Sequence, residues 1–202
     1  MRWIVFDFGE VISQRNPALP FIASRLGVPL DVFEAAYWDR DAYDRGGSDA
    51  EYWATIGSAL GLAFDDAAVR ELTALDNAGW LDEPVVETVT LIEDLAALGV
   101  PLALLSNAPV TFARLAEKVP WAKHFRHLVF SGDLGCAKPD PEIFAHVESV
   151  IGSSDVLFFD DRAVNVEGAR AVGWDARLWT SAAAARLELR AELGTELGDL
   201  GA

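Results

Sequence analysis

A chain of 202 residues can close one sizeable core and a small accessory unit, and 51% hydrophobic against 24% charged residues excludes intrinsic disorder. Its 32 acidic side chains outnumber 16 basic ones, and the formal charge of −16 argues against nucleic acid and against anionic membrane surfaces as partners. One cysteine, Cys136, gives no internal disulfide, the three histidines lack zinc spacing, and no apolar stretch approaches the ~20 residues that span a bilayer, so the expected setting is the reducing cytoplasm.

Residues 2–6 contain the apolar run Trp3-Ile4-Val5-Phe6 and read as a strand buried on both faces, entered without a signal-peptide pattern. The next comparable strand, 101–105, follows only after a long helical stretch, so residues 13–82 are expected as an inserted all-helical cap. Within it, Gly46-Gly47 breaks the chain, Ser48-Asp49-Ala50-Glu51 has capping-box form, and Asp65 is placed to cap a helix reaching about Leu75. Pro84 is expected in the first turn of a helix carried by Val85, Val89 and Ile92 and stopped at Gly99. Strand and helix then alternate: strand 101–105, helix 111–118, strand 127–130, a helix capped by Asp140 with Pro141 at its first position, strand 156–159, and a helix through 167–172. This order implies right-handed crossovers and an α/β, Rossmann-like three-layer core with a parallel sheet, formed by residues 1–12 and 83–202. Only Gly9 follows the first strand, so no dinucleotide fingerprint is present. From Ala182 the chain is alanine-rich, and Leu189, Leu193 and Leu197 suggest a last amphipathic helix.

The residues that carry chemistry fall at strand ends, where open α/β sheets gather their ligands. Asp7 ends the first apolar run, and Ser106-Asn107 end the second, presenting a hydroxyl and backbone N–H groups where phosphoryl oxygens can be held. Lys138 stands just ahead of the proline-opened helix, a point cation in a chain poor in them. Asp160 and Asp161 follow a buried strand side by side, and their repulsion is relieved by a shared hard divalent cation. Asn165, four residues after Asp161, would face it across one helical turn. In the aromatic and charged segment from Tyr37 to Arg45, Arg40 and Arg45 would contact substrate, or else pair with Asp39, Asp41 or Asp44. The seven tryptophans, including Trp38, Trp53 and Trp80, read as cap and core packing.

The order and chemistry of these four segments resemble the four motifs of the haloacid dehalogenase (HAD) superfamily, most of whose members are magnesium-dependent phosphatases; the likeness spans about 160 of the 202 residues. It implies that Asp7 is a nucleophile forming an aspartyl-phosphate, that Ser106 and Asn107 hold phosphoryl oxygens, and that Lys138 stabilises both partners. It further implies Mg²⁺ bound directly by Asp161, by Asp7 and by the Gly9 carbonyl, with Asp160 acting through water or by orienting the site, and Asn165 behind it. Gly9 departs from the pattern, because most phosphatases of the superfamily carry an acid/base aspartate there, and Glu10 lies one residue too far along to inherit its direction automatically. The form Asp-x-Gly-x-Val with Asp-Asp in the fourth motif is similar to the branch containing bacterial alpha-glucose-1-phosphatase, which is active despite the same glycine. The expectation is therefore Mg²⁺-dependent hydrolysis of a small phosphorylated metabolite, sugar phosphates included. Two other readings stand beside it: a 2-haloacid dehalogenase, whose usual Ser-Ser-Asn arrangement is missing, and a pseudoenzyme that binds a phosphometabolite. No oligomeric state is specified.

Overall fold

The computed structural model describes residues 2–193. Strands β1 (Trp3–Phe6), β2 (Leu102–Ser106), β3 (His127–Phe130), β4 (Val156–Asp160) and β5 (Asp175–Leu178) form one sheet in the order β3-β2-β1-β4-β5, with every pair parallel. The three central strands are buried at every position, which is why they read as unbroken apolar runs. The edge strand β5, of sequence Asp-Ala-Arg-Leu, has no such run and was not expected from the sequence.

Between β1 and β2 lie α1 (Leu19–Leu26), α2 (Leu30–Tyr37), α3 (Asp41–Asp44), α4 (Asp49–Leu60) and α5 (Asp66–Leu81). They enclose an apolar cluster of their own, centred on Ile22, Phe33, Trp53 and Ile56. The capping box opens α4 as expected: Ser48 Oγ accepts from Glu51 N, and Glu51 accepts from Ser48 N. Asp65 caps α5, which continues six residues past Leu75 to Leu81.

The remaining helices are α6 (Val86–Ala97), α7 (Val110–Ala116), α8 (Pro141–Ile151), α9 (Ala163–Ala171) and α10 (Ala182–Leu193). Alternation along the strands divides the core between two faces. Ile4, Phe6, Leu104 and Phe159 pack with α6, α7 and α10, whereas Val5, Leu105 and Phe158 pack with α8 and α9. Leu189 of α10 is fully buried; the expected contribution of Leu197 lies outside the described residues.

Two helix starts differ from expectation. Pro84 precedes α6 rather than opening it, because residue 84 is drawn into an antiparallel bridge with Ser13. Asp140 occupies the N-cap position of α8, with Pro141 first in the helix, but makes no side-chain cap bond; its carboxylate is taken by Arg45. The bridge holds the two linkers of the insertion together through Val85 N donating to Ile12 O at 2.7 Å, and Thr88 Oγ1 donates to Val11 O at 2.8 Å beside it. A second attachment joins the insertion to the loops after β2 and β3: Arg45 pairs with Asp140, Ser131 Oγ donates to Asp44 O, and Thr111 Oγ1 donates to Asp49 at 2.9 Å. Backbones meet closely here, since a Cβ on Gly46 would stand 2.8 Å from Gly132 O.

Candidate active site

The carboxyl ends of β1, β2 and β4 open into a cavity of about 510 Å³. Asp7, Gly9, Ser106, Asn107, Lys138, Asp161 and Asn165 all line it, so the structure brings most of the residues singled out in sequence into one place. Asp160 lies just beneath, fully buried, and ligand atoms of Asp7, Asp160 and Asp161 fall within 4.8 Å of one another.

Lys138 ties this cluster together. Its Nζ stands 2.7 Å from Asp7 Oδ1, 2.7 Å from Asp160 Oδ2 and 2.9 Å from Leu105 O, so all three ammonium hydrogens have acceptors. Burial works against this charge, but Asp160 and Asp7 outweigh it and hold the lysine pKa above its ordinary value. The backbone that carries Lys138 is itself fixed. Asn107 Nδ2 donates to Lys138 O and Asn107 Oδ1 accepts from Lys138 N, both at 2.8 Å. The Asn107 side chain therefore braces the lysine, and what it leaves facing the cavity is main chain. The backbone N–H groups of Phe8, Gly9 and Asn107 have no acceptor among the described residues, nor does the Ser106 hydroxyl have a partner. The Lys138-Pro139 peptide is cis, and α9 approaches it closely because residue 168 is glycine: a Cβ there would meet Pro139 Cβ at 2.6 Å.

Asp160 accepts from Lys138, from Arg162 N at 2.8 Å, and from Asn165 Nδ2 at 3.0 and 3.1 Å. Asn165 thus turns to Asp160, where the sequence reading aimed it at Asp161, and its buried Oδ1 has no hydrogen-bond partner among the described residues. Asp7 meets Lys138 through Oδ1. Burial pushes Asp7 up to about 8, with Lys138 opposing and Asp160 and Asp161 adding to the rise. Burial also lifts Asp161, to about 6, with Asp160 and Glu10 contributing. Asp7 and Asp161, which resist ionisation, the neighbouring Asp160, an orphaned buried amide oxygen and the Gly9 main chain form an all-oxygen donor set suited to a hard divalent cation.

The insertion supplies the rest of the lining. Arg40 reaches the cavity, half of it engaged: Nε donates to both Asp44 oxygens at 3.1 and 3.3 Å, and its guanidinium lies over the rings of Tyr37, Tyr43 and Tyr52. Arg45 is outside the lining and pairs with Asp41 and Asp140, the second of which lies far away in sequence. Trp53 is core packing as read, but Trp38 and Trp80 line the cavity. Arg162 and Phe112 do so too and were not singled out; the only hint for Arg162 was its position directly after the acidic pair.

Comparison with known proteins agrees with this geometry. The chain is 28% identical over 199 residues to the sesquiterpene phosphatase astK of Aspergillus oryzae, covering 94% of this chain and 95% of that protein. Its fold matches a HAD family enzyme of Bacteroides thetaiotaomicron solved with magnesium and inorganic phosphate, with a TM-score of 0.65 at 19% identity over 90% and 95% of the two chains. It also matches the L-2-haloacid dehalogenase of Xanthobacter autotrophicus, with a TM-score of 0.67 at 20% identity over 98% and 86%. Among the described residues no helix is long and apolar enough to cross a membrane. Residues 1–173 match the model of the haloacid dehalogenase-like hydrolases, and the chain belongs to that family of enzymes.

Proposed function

We propose that this hydrolase is a Mg²⁺-dependent phosphatase of small phosphomonoesters that works through an aspartyl-phosphate on Asp7. The observation that carries the reading is the cluster of Asp7, Asp160 and Asp161 around the buried ammonium of Lys138, because a haloacid dehalogenase needs an aspartate nucleophile but no gathered acids. The phosphatase relative and the magnesium and phosphate held by a solved neighbour support it.

In this reading Lys138 holds Asp7 Oδ1, and Asp7 Oδ2 attacks phosphorus as the ester P–O bond breaks; with no acid at Gly9, the alcohol leaves as its anion and takes its proton from solvent water. Water then attacks the same phosphorus, the bond to Asp7 breaks, and the carboxylate is restored. Ser106 and the open N–H groups of Phe8 and Asn107 receive the phosphoryl oxygens, and Lys138 offsets their growing charge. Asp161, Asp7 and the Gly9 carbonyl would hold Mg²⁺ directly, with Asp160 and Asn165 orienting them; the ion supplies charge neutralisation at the phosphoryl group. Residues 13–82 act as the cap, excluding water and shaping the space for the alcohol, on a core of residues 1–12 and 83–202. Arg40 is the member of the Arg40/Arg45 pair placed to meet substrate.

Release of phosphate from a chromogenic aryl phosphate, measured with Mg²⁺ and with EDTA, tests the reaction. Metal-dependent release is expected. Chloride release from a 2-haloacid that EDTA leaves untouched would replace this reading with dehalogenation, and no turnover of either would make the chain a binding protein.

Metal affinity carries its own pH signature. The folded pKa values of Asp7 and Asp161 lie above the unfolded carboxylate range, so metal-free protein loses stability as pH rises from that range, up to about 6 for Asp161 and up to about 8 for Asp7, as the buried carboxylates are forced to ionise. Mg²⁺ requires the ionised forms, so its stabilisation grows over the same window. The Mg²⁺-induced increase in Tm should be larger at about pH 8 than at about pH 6. An equal increase at both would remove this cluster as the metal site.

A further inference from the structure

Part of the cavity lining is a run of aromatic rings. Phe112, Phe8, Trp80 and Trp38 follow one another with centroid separations of 5.0, 6.5 and 6.4 Å. The run starts one residue from Asp7 and ends on the helical insertion, where Trp38 is 40% exposed. The cavity volume of about 510 Å³ falls in the ~300–1,000 Å³ range that encloses small-molecule ligands, which leaves most of the space to the alcohol part of an ester.

Apart from Arg40 Nη1, the polar groups beside these rings are engaged with one another. Trp80 Nε1 donates to Tyr37 Oη at 2.9 Å, and Tyr37 Oη donates to the buried Asp76 at 2.7 Å. Arg15 pairs with Glu34 at 3.0 Å and lies over the Trp38 ring, while Arg40 Nε is held by Asp44 and its Nη1 has no hydrogen-bond partner among the described residues. A sugar needs open donors and acceptors at the edges of a stacking ring, because its hydroxyl groups otherwise lose their water without replacement. What this wall mainly offers is apolar ring surface, most of it on Trp38 and Trp80 because Phe8 and Phe112 are each 3% exposed, and its contact with water is relieved by covering it.

We infer that the ester handled here carries a largely hydrocarbon alcohol part, seated along the rings from Phe112 to Trp38, in place of the sugar that the sequence suggested. This rests on the phosphomonoesterase reading and narrows its substrate class. The phosphoryl group sits at Asp7 and Lys138, its ester oxygen on the side away from Asp7, and the hydrocarbon runs from there toward the insertion.

The n-alkylphosphonates, from methyl to decyl, separate this inference from the reaction itself, since carbon replaces the ester oxygen and nothing is hydrolysed. With Mg²⁺ present, calorimetric affinity should tighten about four-fold per buried methylene until the rings are covered. Trp38→Ala should shorten that gain and Trp38→Phe should restore most of it, while methylphosphonate, too short to reach the ring, binds as before. Dependence of affinity on chain length that is flat, with methylphosphonate still bound, overturns the inference and leaves the phosphatase reading standing. Tighter binding of a sugar phosphonate than of hexylphosphonate overturns it as well. Failure of methylphosphonate and inorganic phosphate alike to bind brings down both.

Discussion

Lys138→Ala is expected to lower stability and turnover together, whereas Asp7→Asn lowers turnover alone. Removing the ammonium leaves Asp7 and Asp160 buried without their shared cation, a loss on the order of 3–5 kcal/mol, reduced to the extent that one of them takes up a proton. It also strips the growing phosphoryl charge of its fixed counter-ion, for roughly 10²–10³-fold in kcat. Asp7→Asn leaves the electrostatics nearly intact, since burial already holds the Asp7 carboxyl largely protonated near neutral pH, and Lys138 keeps Asp160 and Leu105 O. The amide cannot serve as nucleophile, so turnover should fall by roughly 10⁴-fold or more with Tm held or raised. Thermal melts and single-turnover assays on the two variants distinguish these roles. Ordinary turnover in Asp7→Asn would reject the nucleophile, and a wild-type melting temperature in metal-free Lys138→Ala would reject the lysine as the tie between the carboxylates.

Gly9→Asp is expected to raise kcat/KM toward alkyl phosphates by roughly 10²-fold or more while changing little for aryl phosphates with good leaving groups. Gly9 stands where related phosphatases place their acid, and a Cβ there would meet nothing within 4 Å, so the missing carboxyl has room. In the wild-type protein the lack of that acid should make log kcat/KM fall steeply as leaving-group pKa rises across an aryl series. Together with the ring-lined cavity, this favours esters whose apolar part also stabilises the departing oxygen. Glu10 is the competing donor: it lines the cavity and adopts φ 53°, a left-handed conformation that non-glycine residues reach only at a cost. A flat wild-type slope would identify a donor already in place, and Glu10→Gln would steepen that slope only if the proton comes from Glu10.

The core was legible because both faces of its central strands are covered, which forces apolar runs with a polar residue at each end; Asp7, Ser106 and Asp160 mark those ends. β5 was hidden because an edge strand needs no apolar run, and its Asp175 and Arg177 belong to an ion network with Arg2, Glu188 and Glu192. Motif spacing located the acids and Lys138, but not which atom faces which. Asn107 turned to the Lys138 main chain and Asn165 to Asp160, choices made by backbone approach across more than one element. Arg45 shows the same limit: its nearest acids in sequence were visible, yet Asp140 comes from another part of the chain. Trp38 and Trp80 read as packing because composition cannot tell a buried ring from one that forms a wall.

Besides the packing of Trp80 and Leu81 on the core, the helical insertion is joined to it by two chemically different sets of polar contacts. Its linkers are held side by side by backbone bonds at Ser13, Pro84 and Val85, and its α3–α4 region by the Arg45 pair and the Ser131 and Thr111 hydroxyls. The first set carries no charge for salt to screen; the second acts as a latch, because its Arg45–Asp140 ion pair is weakened by dissolved ions. In its proposed role as cap, the insertion would therefore part from the core at the latch, and ionic strength would act on how quickly a molecule enters or leaves more than on how tightly it is held.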